Sequence, residues 1–130
     1  GTGTITGVVP GQTIQKEVWV ENTSASDAYI FLQVDETNSD MYEDLALNTT
    51  YWLPLEGVDG VDNVYYHLVP AGDDTSAQKL FTTVNVKDTL DKTVGDFGIK
   101  VTAYAVQDSE DFTNGVTDAW AVASTQAVAN

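Results

Sequence analysis

The sequence predicts an all-β domain whose antiparallel strands pack as a sandwich. Short apolar rows recur at period two, turn residues stand between them, and no long amphipathic helix interrupts the series. The first row follows the turn Val9-Pro10-Gly11-Gln12. Proline presets φ at about −65° and glycine accepts φ > 0, which suits the two central positions of a type II turn. Over residues 13–21, Ile14, Val18 and Val20 share one parity, with Lys16 the only charge among them, while Thr13, Gln15, Glu17 and Glu21 take the other. That alternation marks a strand half-buried against a core. The polar cluster 22–27 breaks it, and Ala28, Ile30, Leu32 and Val34 restore it over 28–35. Two strands joined by a short polar loop read as a hairpin.

Six further segments complete the pattern. Residues 38–47 begin polar and allow one helical turn around 42–47. Residues 51–55 are apolar, and Pro54 inside them demotes the segment to a sheet edge. Val64, Tyr66 and Leu68 alternate with Tyr65, His67 and Val69 before the Pro70-Ala71-Gly72 turn, and Leu80, Thr82, Val84 and Val86 form another row. In the last strand, 97–107, Phe97, Ile99, Val101, Ala103 and Ala105 share a face. Beyond it Thr117 is placed to cap a short helix over 118–123, with Asp118 at its positive end. The predicted core is Ile14, Val18, Val20, Ile30, Leu32, Val34, Ile99 and Val101. A jelly roll, an immunoglobulin-like sandwich and an open barrel all fit these rows, although the cysteines of true immunoglobulin domains are missing.

A length of 130 residues suits one core: a terminal segment, 1–9, followed by a single domain, 10–130. Five lysines against twenty Asp and Glu give a net charge of −15. Such a chain repels phosphates, which argues against nucleic acid and anionic membranes as partners. No apolar run approaches the roughly 18 residues that span a bilayer, so membrane insertion is not expected. Gly1 opens no signal-peptide pattern, and the chain reads as a mature or trimmed form. Acidic loops containing Asp73 and Asp74, or Asp108, Glu110 and Asp111, offer oxygens to calcium, without EF-hand spacing. No other cofactor is expected.

Three blocks carry a family resemblance. Val9-Pro-Gly-Gln12, Lys16-Glu-Val-Trp-Val-Glu-Asn-Thr23 and Asp27-Ala-Tyr-Ile-Phe-Leu32 resemble the first block of the TasA/camelysin family. Ile99-Lys-Val-Thr-Ala-Tyr-Ala-Val-Gln107 and Asp118-Ala-Trp120 are similar to its closing strand and short helix, and residues 68–81 to its Pro-Ala-Gly turn and following strand. The resemblance lies in the order and spacing of these blocks and covers most of the chain. It implies an antiparallel jelly-roll β-sandwich with one or two short helices, secreted to the cell surface or biofilm matrix. It also implies a structural subunit that polymerises head to tail into an extracellular, pilus-like fibre, a homopolymer with other matrix or anchor proteins as further partners. In such fibres an N-terminal segment of one subunit becomes a strand in the next. A donated strand satisfies the unpaired amides and carbonyls of an open edge while its alternate side chains fill a groove. The matching donor here is Thr2, Gly3, Thr4, Ile5, Thr6, Gly7 and Val8, in which Gly3, Ile5 and Gly7 share a face with Val9. The rigid Pro-Gly turn behind it is expected to keep the segment from folding back.

Trp19, Tyr29 and Phe31 have the parity opposite to their strands' aliphatic rows. They would form an aromatic patch for subunit contact, unless residues 38–63 fold over them. The alternative function is a monomeric carbohydrate-binding or adhesion module, with Tyr51, Trp52, Tyr65 and Tyr66 as its platform. Camelysin's metalloprotease activity is the weakest reading and an enzyme is not expected. His67 is the one histidine, and neither His-Glu-x-x-His nor Gly-x-Ser-x-Gly occurs. Asn22-Thr23-Ser24 and Asn48-Thr49-Thr50 are sequons that would permit glycosylation at Asn22 and Asn48.

Overall fold

The computed structural model describes residues 4–5, 9–88 and 97–125. Their regular structure is mostly strands, in two antiparallel sheets, with one short α-helix. The strands are β1 (Thr4–Ile5), β2 (Thr13–Gln15), β3 (Ala28–Thr37), β4 (Leu53–Pro54), β5 (Val64–Val69), β6 (Thr83–Asn85) and β7 (Phe97–Gln107), followed by α1 (Val116–Ala123). The larger sheet runs β1-β7-β3-β5-β4, and the smaller pairs β2 with β6.

β3 lies at the centre because both of its faces are apolar. Ile30, Leu32 and Val34 point toward the small sheet, where they meet Leu80, Phe81, Val84 and Val86 together with Trp52, Phe97 and Ile99. Phe31 points the other way, into a second core made with Leu55, Val64, Ala119, Trp120 and Ala123. Burial of a large aliphatic or aromatic side chain contributes about 1.5–3 kcal/mol, so two such cores stabilise β3 from both sides. The register agrees: Ile30 stands opposite His67 and Ala105, and Phe31 opposite Tyr66 and Tyr104. Ile30, Leu32, Val34 and Ile99 of the predicted core are buried, while Ile14, Val18, Val20 and Val101 are half-buried against it.

Local chemistry explains the turns. Gly11 takes φ 79°, and the Gln12 amide donates to the Val9 carbonyl at 3.2 Å, closing the expected turn. Gly72 does the same at φ 79°, with the Asp73 amide on the Pro70 carbonyl at 3.1 Å. Beyond β2 the ladder continues less regularly, through the Lys16 amide on the Thr82 carbonyl and the Leu80 amide on the Val18 carbonyl.

Four expectations need correction. The segments 13–21 and 28–35 do not form a hairpin but enter different sheets. The corner between them is held by Asn22, whose Nδ2 donates to the carbonyls of Ser26, Val69 and Pro70 at 2.9, 3.0 and 3.3 Å. The short helical turn is a 3-10 turn at Ser39–Met41, entered through Asn38 at φ 56°, rather than at 42–47. Tyr42 is instead extended and bridges to Val86. α1 has no side-chain cap: Gly115 precedes it at φ 63°, and Thr117 lies inside the first turn, donating to the Asn114 carbonyl at 3.1 Å. Asp118 does serve the helix start, accepting from the Asn114 amide at 2.9 Å. Lastly, the N-terminal segment does fold back, since Thr4 and Ile5 pair with Gly98 and Phe97. Among the described residues no helix is long and apolar enough to cross a membrane.

Candidate functional site

The outer edge of β7 sets the candidate site. β7 is 11 residues long and pairs with β3 from Gly98 to Gln107, while on its other side the described residues of β1 pair with Phe97 and Gly98. Among the described residues, 99–107 have no strand on that side. Unpaired strand amides and carbonyls of this kind template the addition of another strand. Burial falls along the same stretch: Phe97 and Ile99 are buried, Val101 and Ala103 half-buried and Ala105 exposed, although all five point toward the small sheet. Across from them the half-buried Val18 and Val20 belong to the small sheet's side. Trp19, between those two valines, is 45 % exposed. A cleft of about 270 Å³ opens where residues 21–24 face Ala28, Ile30 and the end of β7, residues 105–107.

Asn22 builds one wall of this cleft and is 5 % exposed. Its Oδ1 accepts from the Ser24 amide at 3.0 Å and the Ser24 hydroxyl at 2.7 Å, so every polar atom of the side chain is engaged. Thr75, equally buried, receives the Val20 amide on Oγ1 at 2.9 Å and ties that wall to the Asp74 turn. In that turn, hydrogen bonds from the Ser76 hydroxyl and amide hold the Asp74 carboxyl below its usual range.

A larger cavity, about 400 Å³, lies beside the opposite end of β3 and is lined by Glu36, Tyr42, Asp44, Leu45, Asp62 and Tyr65, among others. The Tyr42 hydroxyl donates to Glu36 Oε1 at 2.7 Å. Burial first, and then that carboxylate, push the Tyr42 hydroxyl far above the usual tyrosine range. Burial also raises Tyr65, with Glu36 and Asp62 adding to the shift.

The structure separates several residues that the sequence grouped. Thr4 and Ile5 lie at the β7 edge, whereas Thr2, Gly3, Thr6, Gly7 and Val8 of the donor segment lie outside the described residues. Trp19, Tyr29 and Phe31 form no common patch. Phe31 is fully buried beneath Trp120 with ring centres 5.1 Å apart, Tyr29 is half-buried near Phe112, and only Trp19 is exposed, on the other side of the large sheet. The physical reason is that α1 and the loop residues Leu55, Val58 and Val61 cover this face of β3. The tyrosine and tryptophan platform is likewise divided. Trp52 is fully buried with Nε1 donating to the Gln78 carbonyl at 2.8 Å, and Tyr66 packs against Phe31 on the helix side.

Asn22 has no free amide for a glycan. Asn48 is half-buried, its Nδ2 donating to Gln78 Oε1 at 3.2 Å and its Oδ1 accepting from the Tyr51 amide. His67 stacks on Tyr51 at 3.6 Å, and its Nδ1 lies 2.9 Å from the Tyr51 carbonyl. A carbonyl only accepts, so Nδ1 carries the proton there. Among the described residues no three His, Cys, Asp or Glu side chains are grouped to hold a metal ion. The acids suggested for calcium are engaged locally where their bonds are seen: Asp74 with Ser76, and Asp108 with the Ser109 amide.

Sequence reasoning missed the clamp role of Asn22 and the β7 edge itself. Asn22 read as a loop residue and a sequon, and an edge is a property of topology, which no strand's own pattern contains. No family model, no curated protein and no solved structure matches the chain.

Proposed function

We propose that this protein is the structural subunit of an extracellular, pilus-like or biofilm-matrix fibre, polymerising head to tail by strand donation. The observation that carries the reading is the outer edge of β7 over residues 99–107, which has no strand beside it among the described residues. A long open edge is an aggregation liability that proteins blunt or use. This one holds no proline, and Lys100 is the one charged residue along it that opposes pairing. The sandwich is of the jelly-roll kind that the TasA/camelysin resemblance implies, and the donor is the N-terminal segment of a neighbouring subunit, residues 2–8. The pairing of Thr4 and Ile5 with their own β7 is exchanged for pairing with the β7 of a neighbouring subunit. The contact between subunits is heterologous, and a rotation that does not close yields a filament. The reading includes no catalytic role and no cofactor.

Electron microscopy of the purified chain, with no ligand added, should show long particles. A chain lacking residues 1–8 should remain a folded monomer and form none. The same filaments from the truncated chain would overturn donation by this segment.

A further inference from the structure

We infer that the cleft between residues 21–24 and the end of β7 is a socket for one branched aliphatic side chain of the incoming strand, and that this side chain is Ile5 of a second copy. The inference rests on the strand-donation reading and adds to it where the strand ends up and what fixes its register. The cleft, about 270 Å³, has an apolar floor of Ala28, Ile30 and Ala105. It is smaller than the roughly 300–1,000 Å³ of small-molecule pockets, and it lies against a strand edge that has no partner strand among the described residues, which suits a side chain delivered by a strand.

Three observations choose the occupant. Charge comes first: each subunit carries −15, so close approach of two copies is opposed least where the meeting surfaces carry few carboxylates. Residues 1–15 hold no charged side chain, the longest such stretch of the chain, β7 holds no carboxylate, and the exposed Glu21 is the one acid that lines the cleft. Shape comes second. On the face that Gly3, Ile5 and Gly7 share in an extended strand, Ile5 is a single projection between two glycines. One knob meets one socket, whereas Ala103 and Ala105 leave the adjoining edge low. Reach comes third. Within its own chain Ile5 pairs opposite Phe97, eight residues from Ala105 and therefore roughly 27 Å away at about 3.4 Å per residue. A subunit's own Ile5 does not fill its own socket in that register.

The test uses the full-length chain. Ile5→Gly removes the knob, and Ala105→Leu fills the socket at an exposed position, so its melting temperature should stay within a few degrees of wild type. Each should reduce filament yield at least tenfold, while Ala121→Leu, an equal enlargement on the exposed side of α1, should leave it unchanged. Added to the full-length Ile5→Gly protein, a peptide of residues 1–9 should shift the amide resonances of 103–107 and 21–24, and the same peptide carrying glycine at position 5 should not. Filaments that need residues 1–8 but tolerate both Ile5→Gly and Ala105→Leu would overturn the socket and leave strand donation standing. Filaments that persist without residues 1–8 would overturn the donation reading itself. Peptide-induced shifts confined to another surface, or none at all, would overturn the socket whether or not filaments form.

Discussion

The five-stranded sheet ends in two different ways. On one side β4 is two residues long and contains Pro54; the Leu55 amide donates inward to the Val64 carbonyl at 2.8 Å, so by alternation the proline nitrogen faces outward and offers no donor. On the other side β7 leaves residues 99–107 without a strand among the described residues and carries no such block. The faces repeat the contrast. α1 seals one face with Trp120 on Phe31 and Tyr104, while the small sheet leaves Val18, Val20, Val101 and Ala103 only half-buried on the other. A blunted edge beside a sealed face is the finished side of a sandwich. An open edge beside half-covered aliphatics is the side that another strand completes.

The largest expected effect comes from unsealing the finished face. Trp120→Ala removes an 8 % exposed indole packed on Phe31 and Tyr104, and should cost about 3–5 kcal/mol in a urea melt. A loss below about 1 kcal/mol would mean that α1 is not the lid described. Next is the corner beside the open side. Asn22→Ala leaves the buried Val69 carbonyl without its donor and should cost about 1–3 kcal/mol, with Asn22→Asp no better because a carboxylate donates nothing.

A smaller effect is acid-dependent. The Asn114 amide, then its side chain, with Thr113 adding to them, hold the Asp118 carboxyl below its usual range. The folded state therefore prefers the ionised form. That contribution is complete above the unfolded pKa of about 3.9 and is lost as pH falls through the lower folded value. Asp118→Asn should flatten the acid limb of the stability profile below about pH 4, and an unchanged limb would remove Asp118 from the account. The smallest effect on stability is at the blunted edge. Pro54→Thr should change the melt by no more than about 0.5 kcal/mol. It should nevertheless raise light scattering at high concentration, because it restores a donor to β4; unchanged scattering would mean that proline is not what closes this edge.

Much of this contrast was legible in the sequence, and its limits have a physical pattern. Pro54 announced an edge because a missing N–H is a local property. The alternation of Ile30, Leu32 and Val34 found one face of β3, and Phe31 announced that the other face is covered, either by a subunit contact or by residues 38–63; Leu55, Val58 and Val61 of that connection do pack there, together with α1. What covers Phe31 is Trp120, nearly ninety residues away, and no local period reports a partner so distant. The expected hairpin failed for a similar reason. The polar residues 22–27 fit a loop in either connection, and only the long-range bonds of Asn22 to Val69 and Pro70 show that the chain turns between sheets there. The Gly11 and Gly72 turns were fully readable, because positive φ at glycine is decided within four residues.

The most direct measurement is amide hydrogen exchange along β7, in the monomer and in the assembled state. In the monomer, alternate amides between residues 99 and 107 should exchange rapidly from the open edge while those facing β3 stay protected. On assembly the rapid set should become protected, with the amides of β4 and β5 unchanged. Protection of every β7 amide already in the monomer, or assembly that protects the β4 edge and leaves β7 exchanging, would contradict the assignment of β7 as the acceptor.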